Sequence, residues 1–460
     1  MQNSKDNRLK QLIEGIRSDG IIEWMLLLAF VGIPLSQSWS AFGVHVTTTS
    51  LLFAALLLFW LVGVIVRQRR WHELIPSSPA KVFEWLLLAF VISCAVSLVW
   101  AQSLLLWGKE MAQIVLSIAI YTMVRSSALR RITVKQYWLI ILCLTGMVAL
   151  AGMVQYVLGW SPSGYYFQLV NGRTRPYLTF GDPNNLAGYL VAAVPLSIAA
   201  IAGPPKLKMA GIIVFTVVIG CLVCISSRAS WIGAIIGGGC LLVMLRRRAL
   251  LPLATGAVIT TLVFLAYSAD VRRQGIVSNL GKLDGITTTL TRTEPSRESV
   301  ILTRGTDSYR MTLLKISTEM LKDKLPLGVG LGNGGLAMVP YVSRPDTPDA
   351  FRVDYQSKGI DMTLHNSPIQ LLVELGILGI VPLCAFIMFF YEGYRIFRRS
   401  PGIARDLSSA LLSACAAMLA TNMFGWLFTR GQAELFFVLA GLLVAVGRVC
   451  NTTAYVTEPQ

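Results

Sequence analysis

The stretch RSSALRRITVKQYWLIILCLTGMVALAGMVQYVL at residues 125–158 decides the fold class. A group of basic residues is followed at once by a largely apolar segment, 134–158. An apolar helix needs about 20 residues to cross a bilayer, and basic residues beside a span mark its cytoplasmic side. The stretch therefore predicts a transmembrane helix that enters from the cytoplasm.

The same pattern recurs along the chain, and it predicts about twelve spans. They are placed at 21–40, 46–66, 82–100, 107–124, 134–158, 184–202, 208–225, 229–245, 249–269, 367–394, 405–427 and 432–449. Basic residues concentrate in alternate loops, at 5–17, 67–81, 125–135, 206–208, 246–248 and 395–405. The positive-inside rule makes these loops cytoplasmic. An all-α, multi-pass membrane protein with both termini in the cytoplasm is expected.

Composition agrees with this class. Mean hydropathy is +0.62, with 54% hydrophobic and only 14% charged residues, which excludes an ordinary soluble protein. The net charge of +16 does not indicate nucleic-acid binding, because the basic excess lies in short loops that orient the spans. Most of the eight cysteines lie within spans, so the sequence predicts no disulfide framework.

One large hydrophilic segment interrupts the spans and sets the domain boundaries. We expect a cytoplasmic segment at 1–20, spans one to nine at 21–269, a periplasmic loop domain at 270–366, spans ten to twelve at 367–449, and a cytoplasmic tail at 450–460. Within the loop domain, 275–306 reads as irregular and 307–324 as an amphipathic helix. Its apolar stripe is Tyr309, Leu313, Ile316 and Met320, and the glycine-rich run LGVGLGNGG follows at 327–335.

Of the three histidines, His365 is the candidate for chemistry. His45 and His72 lie in loops and are most simply solvated, whereas His365 lies where the large loop re-enters the membrane. Asn366, Ser367 and Pro368 follow it and predict a helix start. The positive end of that helix disfavours imidazolium, so a neutral histidine that accepts a hydroxyl proton is expected. A capping or interfacial histidine without a chemical role is the alternative.

Helical periodicity makes a further prediction about the tenth span. Ile369, Leu372, Gly376 and Gly379 would share the face of His365 at about 100° per residue. Glu374 would point to the opposite face, as a buried carboxylate that pairs with another helix in a structural role.

Isolated arginines in the outer loops are candidate anion ligands, because orientation in the membrane does not require them there. Arg228 lies in SSRASWIGA at the outer start of a span, and Arg173 and Arg175 lie in GRTRPYLTFGDPNNLAGYL. A guanidinium at a helix N-terminus is unfavourable unless a bound anion such as phosphate offsets the dipole. Arg310 and Arg430 are further candidates, and for each arginine contact with lipid head groups is the alternative.

Carboxylates are scarce in the short outer loops. The first one contains neither Asp nor Glu, and no Asp-x-Asp pair occurs in any of them. A site that binds diphosphate through a divalent cation would need such oxygen ligands. We therefore expect no metal ion and no cofactor, with arginines performing the electrostatic work.

Four motifs together resemble the bacterial O-antigen ligase family, whose superfamily also contains O-antigen polymerases and O-oligosaccharyltransferases. They are HNSPIQLLVELGILG at 365–379, TFGDPNNLAGYL at 179–190, SSRASW at 226–231 and DSYRMTLLKISTEMLKDKLPLGVGLGNG at 307–334. With about twelve spans and a large loop between spans nine and ten, the resemblance covers most of the chain.

The resemblance implies metal-independent glycosyl transfer at the outer face of the bacterial inner membrane. The donor would be undecaprenyl-diphosphate-linked O-antigen and the acceptor a hydroxyl of the lipid A-core oligosaccharide. His365 would activate or orient that hydroxyl, and Arg228 and Arg310 would hold the diphosphate, assisted by Arg173 or Arg175. Asn184, Asn366 and Arg430 are the remaining predicted substrate contacts.

Two other functions remain open from the sequence. A polymerase of the same superfamily differs only in its acceptor, which is a growing lipid-linked chain. A secondary transporter is favoured by inverted repeats and by polar residues in broken helices at the bilayer midplane. The sequence shows no such repeat, and its polar candidates gather at one face.

Removal of metal ions tests whether arginines alone supply the positive charge at the site. Transfer activity is expected to survive EDTA, because fixed guanidinium groups replace a divalent cation. Glycan transfer by the purified protein, assayed with and without chelator, measures this. Loss of activity in EDTA that magnesium or manganese restores contradicts it.

Overall fold

The computed structural model describes residues 23, 26–35, 38–41, 44–67, 76, 79–129, 132–159, 175–284, 306–345, 347–358, 362–429 and 431–457. Two short strands, β1 (Ser38–Ala41) and β2 (Val44–Thr47), pair antiparallel with Ser38 opposite Thr47. The helices before the large loop are α1 (Thr48–Arg67), α2 (Lys81–Val96), α3 (Leu104–Ser127), α4 (Val134–Leu158), α5 (Pro183–Leu190), α6 (Ala193–Ile201), α7 (Pro205–Ile225), α8 (Arg228–Leu245) and α9 (Arg247–Asp284).

The remaining helices belong to the loop domain and the last spans. They are α10 (Thr306–Lys324), α11 (Gly334–Ala337), α12 (Val339–Val342), α13 (Asp349–Lys358), α14 (Ser367–Leu375), α15 (Ile380–Arg399), α16 (Gly402–Asn422) and α17 (Gln432–Thr457). Short 3-10 turns occupy Ile33–Leu35, Ser97–Trp100 and Gly376–Gly379.

Ten helical segments of the described chain are long and apolar enough to cross a membrane, and they coincide with the third to twelfth predicted spans. The predicted total of twelve is not confirmed. The predicted first span, 21–40, is wrong at its end, because β1 begins at Ser38. The fold is therefore predominantly helical rather than purely α.

Two predicted continuous spans are interrupted. The sixth breaks at 191–192 between α5 and α6, because Pro195 cannot donate to the carbonyl of Val191. The tenth breaks at Gly376, which has a φ of +62° that an α-helix cannot accommodate. The prediction that Gly376 and Gly379 continue the helical face of His365 is therefore wrong, since α14 ends at Leu375.

Helices α5–α6, α16 and α17 form the centre of the bundle and are buried along most of their length, whereas α9 is largely exposed. Small residues let α8 lie close against α16. A Cβ added at Gly233 would lie 2.5 Å from the carbonyl oxygen of Ala417, and one at Gly237 3.1 Å from that of Ser413. The glycines of α8 therefore fix the separation of these two antiparallel helices.

The loop domain has a small apolar core of its own. Leu313, Ile316 and Met320 of α10 are buried in it, which confirms three members of the predicted stripe; the side chain of Tyr309 lies outside the described residues. Val373 of α14 belongs to the same core, so α10 packs directly on the helix that follows His365. The segment predicted as irregular from residue 275 begins as helix, because α9 continues to Asp284.

The glycine-rich run joins the loop domain to α14 through backbone hydrogen bonds. The amides of Val329 and Gly330 donate to the carbonyls of Val373 and Glu374, at 3.0 and 2.9 Å, and the amide of Ile377 donates to the carbonyl of Pro326 at 2.8 Å. A Cβ at Gly328 would lie 2.5 Å from the backbone nitrogen of Gly376. These glycines allow the two backbones to approach closely. Glycine content alone would instead suggest a flexible hinge.

Glu374 completes this junction. It is 1% exposed, and its carboxylate accepts from the amide of Gly332 at 2.8 Å and from Nε2 of Gln370 at 3.0 Å. The same run reaches the bundle, where Ser97 Oγ accepts from the amide of Leu331 at 3.2 Å. The structural role predicted for Glu374 is confirmed, and the loop domain is fixed to the bundle at this point.

A substitution at Gly328 tests this docking. Gly328→Ala is expected to destabilise the protein by about 2 to 4 kcal/mol, because φ is +85° and the added Cβ meets backbone. Gly239→Ala in α8 is the control, since its Cβ would meet nothing within 4 Å. Thermal unfolding in detergent and protease cleavage of the loop measure the effect. Equal melting temperatures for the two variants contradict rigid docking.

Candidate active site

His365 lies at the entrance to α14 in a strained backbone conformation. Its φ is +49°, a left-handed value that non-glycine residues rarely adopt, and the residue is exposed. Asn366 follows in extended conformation and caps α14, with Oδ1 accepting from the amide of Ile369 at 3.1 Å. The predicted helix start is confirmed. It places His365 one residue before the cap, at the positive end of the helix.

Ser367 ties this helix start to the bundle. Its hydroxyl donates to the carbonyl of Gly425 at 3.1 Å and accepts from the amide of Leu427 at 3.0 Å. Both partners lie in the connection that leaves α16. The position of His365 therefore depends on the end of α16 as well as on α14, and a neighbouring segment holds the strained backbone in place.

Arg175 lies on a second anchored segment. Oε1 of Gln155, at the end of α4, accepts from the amides of Tyr177 and Leu178 at 2.9 and 2.8 Å and fixes the chain just after Arg175. Nε of Arg175 donates to the carbonyl of Ile225 at 2.8 Å. Burial lowers the pKa of the Arg175 guanidinium, the charge of Asp182 raises it, and that of Arg310 lowers it.

Arg228 is the first residue of α8, and the turn that precedes it contains the carbonyl to which Arg175 is bound. Ser226 ends α7 with a left-handed φ of +57°, and Ser227 occupies the N-cap of α8 without a side-chain capping bond. The hydroxyl of Ser226 donates to the carbonyl of Val223 at 2.9 Å. The first turn of α8 therefore lacks the usual side-chain cap.

Arg310 connects the arginines to the histidine helix. It lies in the first turns of α10, which packs on α14, and its charge is close enough to lower the pKa of Arg175. Arg175 is bound to the turn before Arg228, and α14 is bound to the end of α16, which packs along α8. The structure thus brings Arg175, Arg228, Arg310 and His365 to the same end of the bundle, which we call the histidine face.

Backbone strain concentrates at this face. Leu178, Ser226 and His365 account for three of the five non-glycine residues with positive φ in the described chain. Each lies in a segment that carries one of the candidate residues. Strained backbone persists where the surroundings over-determine it, and such positions cluster at functional sites.

The other predicted contacts differ in outcome. Arg173 and Arg430 lie outside the described residues. Asn184 lies in the first turn of α5, and its amide donates to the Asp182 cap at 2.6 Å. The side chain that joins a polar network is that of the next residue, Asn185.

The sequence did not predict this polar network. Nε2 of Gln432 donates to Oδ1 of Asn185 at 3.2 Å, and Nδ2 of Asn422 donates to Oε1 of Gln432 at 2.8 Å. It links α5, α16 and α17 just below the histidine face. Amide side chains at the ends of apolar spans were the available signal, but nothing in the sequence pairs residues so far apart.

Within the part of the chain that the structure describes, no three His, Cys, Asp or Glu side chains come together as a metal site. The groups that do gather are guanidinium ions. Several fixed cations at the edge of an apolar bundle suit a ligand with more than one negative charge, since Arg binds phosphate in a two-pronged manner.

Residues 210–384 match the model of the O-antigen ligase family, and this match includes Arg228, Arg310 and His365. The matched segment spans 175 of the 460 residues, and over this segment the chain is similar to that family. No curated protein matches the chain.

The geometry makes a prediction for Arg310. For the lipid-linked donor that the sequence resemblance implies, Arg310→Ala is expected to lower kcat/KM by about 10- to 100-fold, the usual contribution of a charge-assisted hydrogen bond. Lys322→Ala removes an exposed positive charge from the far end of the same helix and is the control. Initial rates of glycan transfer at several donor concentrations measure both. Equal losses in the two variants would mean that only net charge matters.

Proposed function

We propose that this protein is an O-antigen ligase that transfers glycan from a polyprenyl diphosphate carrier to a hydroxyl of the lipid A-core oligosaccharide. The site faces the periplasm, on the outer side of the inner membrane. The family match, the apolar helical bundle and the alternation of basic loops support this assignment.

One observation carries the proposal: Arg175, Arg228 and Arg310 gather at the histidine face beside α14. The burial of Arg175 and the nearby charge of Arg310 both disfavour its charged form. A diphosphate would relieve this repulsion, because it supplies two or more negative charges to the same small volume. A neutral substrate would leave it unrelieved.

The arginines and His365 have different roles in the proposed reaction. The acceptor oxygen forms a bond to the anomeric carbon of the donor glycan while the bond from that carbon to the diphosphate oxygen breaks. The leaving diphosphate takes the bonding electron pair, and the arginines stabilise its developing charge. The acceptor proton passes to the imidazole of His365, which returns it to solvent.

A deletion strain decides between this function and chain polymerisation by the same chemistry. Gel analysis of the surface polysaccharide is expected to show lipid A-core without O-antigen, together with accumulated lipid-linked polymer. Core that carries a single repeat unit would identify a polymerase instead. Unchanged lipopolysaccharide would reject both.

A histidine variant tests the proton-transfer step. His365→Asn is expected to lower kcat by about 100-fold or more, since general base catalysis contributes that much. Asn tolerates the left-handed backbone that His365 adopts, so the helix start is retained. Transfer by the purified variant measures the effect, with His72→Ala as the control. Parental activity in His365→Asn removes the histidine from the mechanism.

An arginine-to-lysine variant tests phosphate recognition. Arg228→Lys is expected to weaken transfer by about tenfold or more, because lysine keeps the charge but lacks the fork that grips two oxygens. Rates for Arg228→Lys and Arg228→Ala are compared at equal protein levels. Full activity of the lysine variant alongside an inactive alanine variant would show that charge alone is sufficient.

A further inference from the structure

Ser230 carries a buried hydroxyl that the fold does not use. It is the third residue of α8 and 1% exposed. Within the described chain its Oγ makes no hydrogen bond. An unpaired buried hydroxyl costs free energy, so native structures rarely keep one without a reason.

The position of Ser230 directs this hydroxyl toward the start of α8. The Cα–Cβ bond of a helical residue tilts toward the N-terminus of the helix, so a third-position side chain lies beside the first-turn amides. Ser227 provides no side-chain cap there, and Arg228 is the first residue of the same turn. An uncapped helix start, a guanidinium and an unused hydroxyl thus lie together.

Packing of α8 against α16 places the hydroxyl of Ser230 at the end of the bundle where His365 lies. Ser230 shares a helical face with Gly233, which lies against Ala417 and Thr421 of α16. Because α8 and α16 run antiparallel, the residue one turn before Gly233 faces the end of α16. That end continues into the connection which binds Ser367, two residues after His365.

We propose that Ser230 is a donor-binding residue whose hydroxyl, with the first-turn amides of α8, donates to a phosphate oxygen of the lipid diphosphate. The inference rests on the proposed function, since it adds a ligand to that site. It places a phosphate group over the first turn of α8, between Arg228 and the segment that holds His365. The helix dipole favours an anion at this position.

A matched serine separates this role from packing. Ser413 on α16 is also fully buried, and its Oγ also makes no hydrogen bond within the described residues. It faces the same α8–α16 interface, because its carbonyl lies beside Gly237, but two turns deeper than Ser230. Ser413→Ala therefore removes an unpaired hydroxyl from the same interface, but at a position that is far from the start of α8.

The experiment measures binding of farnesyl diphosphate to the full-length protein in detergent. Parent, Ser230→Ala, Ser413→Ala and Arg228→Ala are compared by the dependence of melting temperature on ligand concentration. We expect Ser230→Ala to bind about tenfold more weakly than the parent and Ser413→Ala to bind equally well. Without ligand, both serine variants are expected to melt at or above the parental temperature, since neither loses a hydrogen bond.

The remaining outcomes overturn the inference in distinguishable ways. If Ser230→Ala binds as tightly as the parent while Arg228→Ala does not, Ser230 has no part in the site and the proposed function stands. If both serine variants weaken binding equally, the effect comes from packing at the interface. If the parent itself does not bind farnesyl diphosphate, the proposed donor class is wrong, and this inference is wrong with it.

Discussion

The fold depends on a backbone-to-backbone contact between residues 328–332 and the last turn of α14. Helix α14 stops at Gly376, so the carbonyls of Val373 and Glu374 lose the partners that a continuing helix would supply. At the edge of a bilayer, unsatisfied backbone groups are costly. The amides of Val329 and Gly330 satisfy them, which glycine makes possible because any larger residue would hold the two backbones apart. This contact fixes α14, and with it both His365 at its start and α10, which packs against it.

Electrostatics explains why the site is assembled from distant segments. Arg175, Arg228 and Arg310 come from three elements, and each element is held by contacts that do not involve substrate: Arg175 by the carbonyl of Ile225, α8 by its glycines against α16, and α10 by its apolar stripe. The bundle thereby maintains a repulsive arrangement of cations at its edge. In the proposed reaction, preorganised charge of this kind would stabilise the leaving diphosphate without reorganisation.

Much of this was predictable from local signals. Span positions follow from hydropathy, and the cap at Asn366, the stripe of α10 and the burial of Glu374 follow from periodicity and helix-capping rules. The breaks at 191–192 and Gly376, the hairpin at 38–47 and the extension of α9 to Asp284 were not predicted. Apolar runs that are interrupted by glycine or proline can continue or break, and the outcome depends on which neighbours satisfy the released backbone groups. The polar network through Asn185 was not predicted for a related reason, because adjacent residues face different sides of a helix and only the packing shows which side is internal.

The sequence by itself determined that this chain is a membrane-embedded helical protein, because hydropathy and loop charge act locally, residue by residue. It also predicted which arginines and which histidine lie on the outer side of the membrane. The tertiary structure alone decided that Arg175 binds the turn before Arg228, that Arg310 approaches Arg175 through α10, and that Ser367 ties His365 to the end of α16. These contacts join residues about 50 to 135 positions apart. Their formation depends on how whole helices pack, which no local pattern specifies.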